Sequence, residues 1–172
     1  MTRGSDLCTQ CGLCCSGALH EYVALDDSER GDEALVLGLV PGGRTGFTLP
    51  CPMLAGCTCS IYQNRPQACR RYKCQQLLEL EAGNTTLGVA ADRVREAKRL
   101  NEEVARHLPA GQALPEARNR LLFGKGEGQS SALKLALAAL CLYLDKYFKH
   151  GGEAKFLSLE STRRPGKSVE MQ

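Results

Sequence analysis

The chain has 172 residues, 43% of them hydrophobic and 24% charged, with a formal net charge of +3 at pH 7. That length suits one domain with a buried core and is short for two, and so slight a basic excess excludes an electrostatic case for nucleic acid. The outlying quantity is cysteine: there are ten, and all but Cys141 lie in the first 74 residues.

Taken in chain order, Met1 to Leu7 offers no apolar run for a signal peptide. The expected compartment is therefore the reducing cytoplasm, with no membrane partner and with thiols rather than cystines. The spacing agrees, because Cys14-Cys15 and Cys57-Thr58-Cys59 are too close for bridges whose Cα atoms want about 5.5 Å. Cys8 to Gly17 is cysteine, glycine and small polar residues, which predicts irregular backbone folded by its ligands rather than by apolar periodicity. Cys-x2-Cys lets two sulfurs reach one ion across a tight turn, so this crowd of thiols points to metal.

Tyr22 to Leu25 reads as a short strand, and Asp26 or Asp27 offers a cap for a helix through Glu29 to about Leu37, weakened by Gly31. A turn is expected at Pro41-Gly42-Gly43 and strands at Phe47 to Leu49 and Ser60 to Tyr62, the last ended by Asn64-Arg65-Pro66. Gln75 to Ala82 is helical in pattern, with Gly83-Asn84 as a stop and Thr85 or Thr86 as a fresh cap. The strongest helix follows: Ala90, Val94, Ala97, Asn101, Val104 and Leu108 form one stripe, with Glu96–Arg99 and Glu102–Arg106 as exposed pairs and Pro109 as the end. Pro115 to Phe123 predicts another helix. Gly124 to Ser131 is a linker, since it lacks the Gly-Lys-Ser/Thr order of a phosphate loop. The helix from Ala132 to Phe148 is apolar on nearly every face yet too short for the ~20 residues of a membrane span. It reads as the central core helix, or as one face of a subunit contact, with Cys141 a small core residue. Gly151-Gly152 stops it, and Ser161 to Gln172 reads as disordered.

The combination Cys8-x2-Cys11-Gly12-x-Cys14-Cys15, Cys51-Pro52-Met53-Leu54, and Cys59-Ser60-Ile61-Tyr62-x2-Arg65-Pro66-x2-Cys69-Arg70-x-Tyr72-x-Cys74 closely resembles the YkgJ-type cysteine-cluster family, a zinc- or iron-chelating domain. The resemblance runs over about residues 8 to 82. Carried over position by position, it implies metal ligation by Cys8, Cys11, Cys14, Cys15, Cys51, Cys59, Cys69 and Cys74 and leaves Cys57 as an extra thiol.

Eight thiolates suit two four-sulfur centres. Adjacent side chains of extended backbone point to opposite sides, so Cys14 and Cys15 are expected to serve different centres. Spacing suggests Cys8, Cys11, Cys14 and Cys51 for one, and Cys15, Cys59, Cys69 and Cys74 for the other. Soft thiolate excludes magnesium and calcium and leaves zinc or an iron-sulfur cluster. Three cysteines at two-residue spacing with a remote Cys-Pro are ferredoxin-like and incline the balance to iron-sulfur, while all-cysteine sites that staple irregular modules favour zinc. Arg65, Arg70, Arg71 and Lys73 either offset thiolate charge, tune a potential, receive an acidic partner or form a solvated face. Tyr62 and Tyr72 read as packing residues. His20 is a spare ligand candidate; His107 and His150 sit at helix ends, beside terminal carbonyls; Asp26 and Asp27 read as caps rather than an acid–base pair.

The expected fold is α+β and predominantly α: an irregular, metal-clamped cysteine-rich module at residues 1–82 packed on the helical part at 83–150 of the same domain, with a tail at 151–172. The expected function is a cytoplasmic metal-binding or interaction module with metal ions and an unidentified protein as partners, the alternative being an iron-sulfur oxidoreductase or cluster-dependent enzyme.

Overall fold

Ala90, Val94, Ala97 and Val104 are buried along one side of a 21-residue helix, as their spacing at steps of three, four and seven requires. Thr86 begins that helix by accepting the Val89 N–H on its hydroxyl. The computed structural model describes residues 3–26, 29, 38–124 and 126–150. Among these the order is α1 (Arg3–Cys11), β1 (Tyr22–Ala24), β2 (Gly38–Val40), β3 (Arg44–Thr48), β4 (Leu54–Ala55), β5 (Thr58–Cys59), a 3-10 turn at Tyr62–Asn64, α2 (Gln67–Arg71), α3 (Gln75–Glu81), α4 (Leu87–His107), α5 (Leu114–Phe123) and α6 (Ser131–Tyr147). The class is α+β, mostly helical. The helix expected to run from Asp26 or Asp27 to Leu37 falls almost wholly outside the described residues, and the tail from residue 151 lies outside them entirely.

Helix α4 packs mainly on α6, which buries Leu133, Ala136, Leu137, Leu140, Cys141 and Leu144. Ser130 caps α6 by accepting the Leu133 N–H. The same core takes in Leu7 of α1, Leu13, Ala18, Leu19, Ala117 of α5 and Phe148. At its far end the Phe148 carbonyl accepts the Gln75 N–H at 2.9 Å, which joins the end of α6 to the start of α3. No helix among the described residues is long and apolar enough to cross a membrane.

A second, smaller core of Leu25, Phe47 and Leu49 lies under the antiparallel sheet β1-β3-β2, whose register pairs Tyr22 with Thr48 and Val40 with Arg44 across the expected Pro41-Gly42-Gly43 turn. β4 and β5 form a hairpin pairing Leu54 with Cys59.

Four expectations are corrected. Cys8 and Cys11 are on α1 rather than in irregular chain, because buried Leu7 holds that helix to the core and Gly12, at φ +71°, ends it. The strand expected at Ser60 to Tyr62 is displaced to Thr58–Cys59, since the turn at Gly56 pairs those residues with Leu54–Ala55, and Tyr62 begins the 3-10 turn. Helix α2 was not expected; it starts directly after Pro66 and ends at Tyr72. On α4, Glu96 pairs with Arg99 at 2.7 Å as expected, but Arg106 pairs with Glu103 instead of Glu102.

Candidate metal centre

All ten cysteines are free thiols, and nine of them, Cys141 excepted, line one cavity of about 620 Å³. They reach it from different elements. Cys8 and Cys11 stand one turn apart on α1, a spacing that puts both on one side of the helix. Cys14 and Cys15 follow the Gly12 turn, and a Cβ at Gly12 would stand 2.9 Å from the Cys57 carbonyl oxygen. Cys74 sits at the start of α3, which packs against α1. Cys11, Cys14 and Cys74 all rest on the main helical core.

Burial raises Cys8, Cys11, Cys14 and Cys74. Burial pushes the Cys11 thiol up to about 12, opposed by the Leu13 N–H and reinforced by Cys74 and Cys8. Burial likewise holds Cys14 well above its ordinary value, with Cys11, Cys74, Cys15 and Cys8 adding to it. Cys74 is raised to about 11 by burial, against the Leu77 and Gln76 N–H groups of α3 and with help from Cys8. Cys8 is raised by burial and by Glu81 and eased by Arg65.

Cys15, Cys51, Cys59 and Cys69 form a second group near the small sheet, where Cys51 and Cys69 pack against Leu25, Phe47 and Leu49. The Cys51 N–H donates to the Cys15 carbonyl at 2.8 Å, and the β4–β5 hairpin returns Cys59 towards Cys51. Burial raises Cys15 to about 12 with Cys51, Cys59 and Cys69 contributing, and raises Cys69 to about 11 with Cys51 and Cys59 contributing. For Cys51 burial is again the main cause, partly offset by the Met53 N–H.

These neighbours are set by tertiary contacts, the Cys51–Cys15 backbone bond and the packing of α3 on α1, rather than by spacing in the sequence. The donor sets fit a soft cation. Buried thiols that raise one another's pKa stay protonated until a positive charge replaces their protons. The sulfurs line the cavity without converging: among the described residues no three Cys, His, Asp or Glu side chains are arranged to hold an ion as they stand. Cys11, Cys14 and Cys74 pack on the helical core and Cys51 and Cys69 on the sheet core, while Cys14 and Cys15 still act on one another electrostatically.

Other candidates resolve individually. Cys57 lines the cavity on the β4–β5 turn, backed by Gly12. Cys141 is buried in the α6 core. His20 lines the cavity edge-on to Tyr72 at 4.3 Å. His107 faces Glu103 at 3.1 Å rather than a helix-end carbonyl, whereas His150 Nε2 stands 2.5 Å from the Lys73 carbonyl. Asp26 pairs with Arg71 at 2.8 Å and Arg44 at 3.6 Å. Arg70 donates to the carbonyls of Arg65 and Gln63, and Lys73 pairs with Glu81.

Sequence reasoning missed Arg118. It is 5% exposed on α5, donates to the Gly17 and Ala18 carbonyls at 3.1 and 2.5 Å, and lies 3.7 Å from Glu21. It thus fixes the loop directly after Cys14-Cys15 from the helical half. Its local pattern is that of an ordinary charged helical residue, so nothing nearby in the sequence signals the role.

Residues 7–86 match the family model CxxCxxCC, described as "Putative zinc- or iron-chelating domain". No curated protein and no solved structure matches the chain.

Proposed function

We propose, from the match of residues 7–86 to the model of the CxxCxxCC zinc- or iron-chelating domain, that this segment holds two soft-metal centres. Cys8, Cys11, Cys14 and Cys74 would form one; Cys15, Cys51, Cys59 and Cys69 would form the other. The observation that carries this reading is that eight motif thiols line one cavity, with Cys11, Cys14 and Cys74 packed on the helical core and Cys51 and Cys69 on the sheet core.

Four thiolates per ion is the donor set of a tetrahedral zinc or an iron-sulfur centre. Closure of each set is then a step that binding drives, with thiol protons released as the ion enters. Residues 1–82 act as the metal module and 83–150 as its helical support within one domain, Arg118 joining the two through Gly17 and Ala18. Such a module works where thiols stay reduced, which favours the cytoplasm.

The test is anaerobic purification with elemental analysis and a visible spectrum. Two zinc ions per colourless chain supports a structural or storage module. Brown protein with iron and acid-labile sulfide supports an electron-transferring or cluster-dependent role. A chain that takes up no soft metal under reducing conditions overturns the proposal.

A further inference from the structure

We propose that His150 is the positioning residue of the Cys74 ligand: with the Phe148 carbonyl it fixes the backbone on either side of Cys74, so that its loss weakens the metal centre Cys74 serves and spares the other. This rests on the two-centre reading above and adds the residue that holds one of its ligands in place.

Cys74 lies in the short link between α2, which ends at Arg71, and α3, which starts at Gln75. Its φ of −67° and ψ of 161° are those of a helix cap, yet its side chain makes no capping hydrogen bond, which leaves the sulfur to the cavity it lines. The two peptide groups that flank it are both held by the end of α6. His150 Nε2 donates to the Lys73 carbonyl at 2.5 Å, and the Phe148 carbonyl accepts the Gln75 N–H at 2.9 Å. Because peptide groups are planar, holding the one before a residue and the one after it sets φ, ψ and the direction of the Cα–Cβ bond. His150 Nδ1 also faces the Gln75 side-chain oxygen at 3.2 Å, and its ring meets that of cavity-lining Tyr72 close to edge-on, 6.1 Å between centres.

The platform that presents His150 is itself anchored. Phe148 is fully buried in the main core, and the N–H groups of Phe148 and Lys149 both return to the Leu144 carbonyl, at 2.8 and 3.0 Å. Lys149 pairs with Asp145 at 2.8 Å, both side chains nearly buried. Cys74 packs against the same core. A ligand whose backbone is held before the ion arrives loses less freedom on binding than one the ion must order. Cys15, Cys51 and Cys59 are placed by other contacts, the Cys51–Cys15 backbone bond and the β4–β5 hairpin, so the effect falls on one centre.

The experiment is zinc competition against a chromophoric chelator, for the wild-type chain, His150→Ala, His150→Gln, His150→Asn and His107→Ala, and for Cys74→Ser with and without His150→Ala. His150→Ala is expected to keep two equivalents, one weakened by about tenfold or more and the other within about twofold of wild type. His150→Gln, whose amide can still donate to the Lys73 carbonyl, should recover most of the loss, and His107→Ala, which removes a contact with Glu103 on α4, should change little. In Cys74→Ser the one remaining equivalent should be unaffected by His150→Ala, whereas a general loosening of α6 from α3 would reach it. Equal weakening of both equivalents, a change within about twofold at both, or further weakening of the equivalent left in Cys74→Ser overturns the inference, while two bound equivalents in the wild-type chain leave the two-centre reading standing. A wild-type chain binding fewer than two equivalents instead removes the reading itself. Circular dichroism of the zinc-loaded variants separates misfolding from weakened binding, and His150→Asn, whose shorter amide falls short of the Lys73 carbonyl, repeats the comparison with His150→Gln if His150→Ala fails to fold.

Discussion

Cys14 and Cys15 are neighbours in sequence, and on the two-centre proposal they serve different ions. Serine at either position is expected to remove one metal equivalent and spare the other, as read by elemental analysis; loss of both from one substitution would contradict the separation. Gly12 turns the chain from α1 into this pair. Its φ of +71° and the close approach of Cys57 leave no room for a side chain, so Gly12→Ala should cost about 1–3 kcal/mol in a urea titration of the metal-loaded chain. The thiols also set a pH dependence. Their folded values lie above the ordinary 9.0, at about 12 for Cys11 and Cys15 and about 11 for Cys69 and Cys74. In metal-free protein the neutral thiols favour the folded chain below about pH 9, and that contribution is lost as pH rises through about 11 to 12. The metal-free melting temperature should therefore fall through this alkaline window. Metal affinity should instead rise with pH, because each coordinating thiol must give up a proton. At this scale the crowding of thiols about one place was legible from motif spacing, whereas the Cys51–Cys15 backbone bond and the placement of Cys74 on α3, on which the proposed partition rests, were not.

Helices α3, α4, α5 and α6 follow from periodicity and caps that the sequence displays openly. Thr86 and Ser130 each accept the backbone N–H three residues on, so alanine at either should cost about 1 kcal/mol, measured by denaturant midpoint. Gly83, at φ +76°, ends α3 with the Asn84 N–H bonded back to the Glu79 carbonyl at 2.9 Å. Helix α1 was not legible for a physical reason. It is nine residues long, rich in Gly, Ser, Thr and Cys, and has no strong propensity of its own. Contact of Leu7 with a core built 80 to 140 residues later makes it helical. The short α2 and the β4–β5 hairpin were misjudged for the same reason, their backbone being set by turns at Gly56 and Pro66.

For the whole molecule, two cores of unequal size imply unequal dependence on metal. The α4–α6 core buries a continuous set of Leu, Val and Ala side chains, while the sheet core rests on three fully buried residues. A structural zinc site contributes on the order of 10 kcal/mol to folding by peptide analogy. Chelation should therefore release amide protection first between residues 8 and 74, with α4 and α6 protected longer in hydrogen exchange; uniform loss would show that the helices have no stability of their own. Arg118 is the bond between the halves. Arg118→Ala, which leaves buried carbonyls at Gly17 and Ala18, should cost about 1–3 kcal/mol and reduce metal retention in both sets, as read by thermal melting with metal counting.

The division of the sulfurs is tested most directly by counting metal in two double variants, Cys15→Ser with Cys51→Ser and Cys15→Ser with Cys74→Ser. If Cys51 shares a centre with Cys15, the first variant keeps one equivalent per chain and the second keeps none. The opposite outcome, one equivalent in the Cys74 combination and none in the Cys51 combination, would contradict the account.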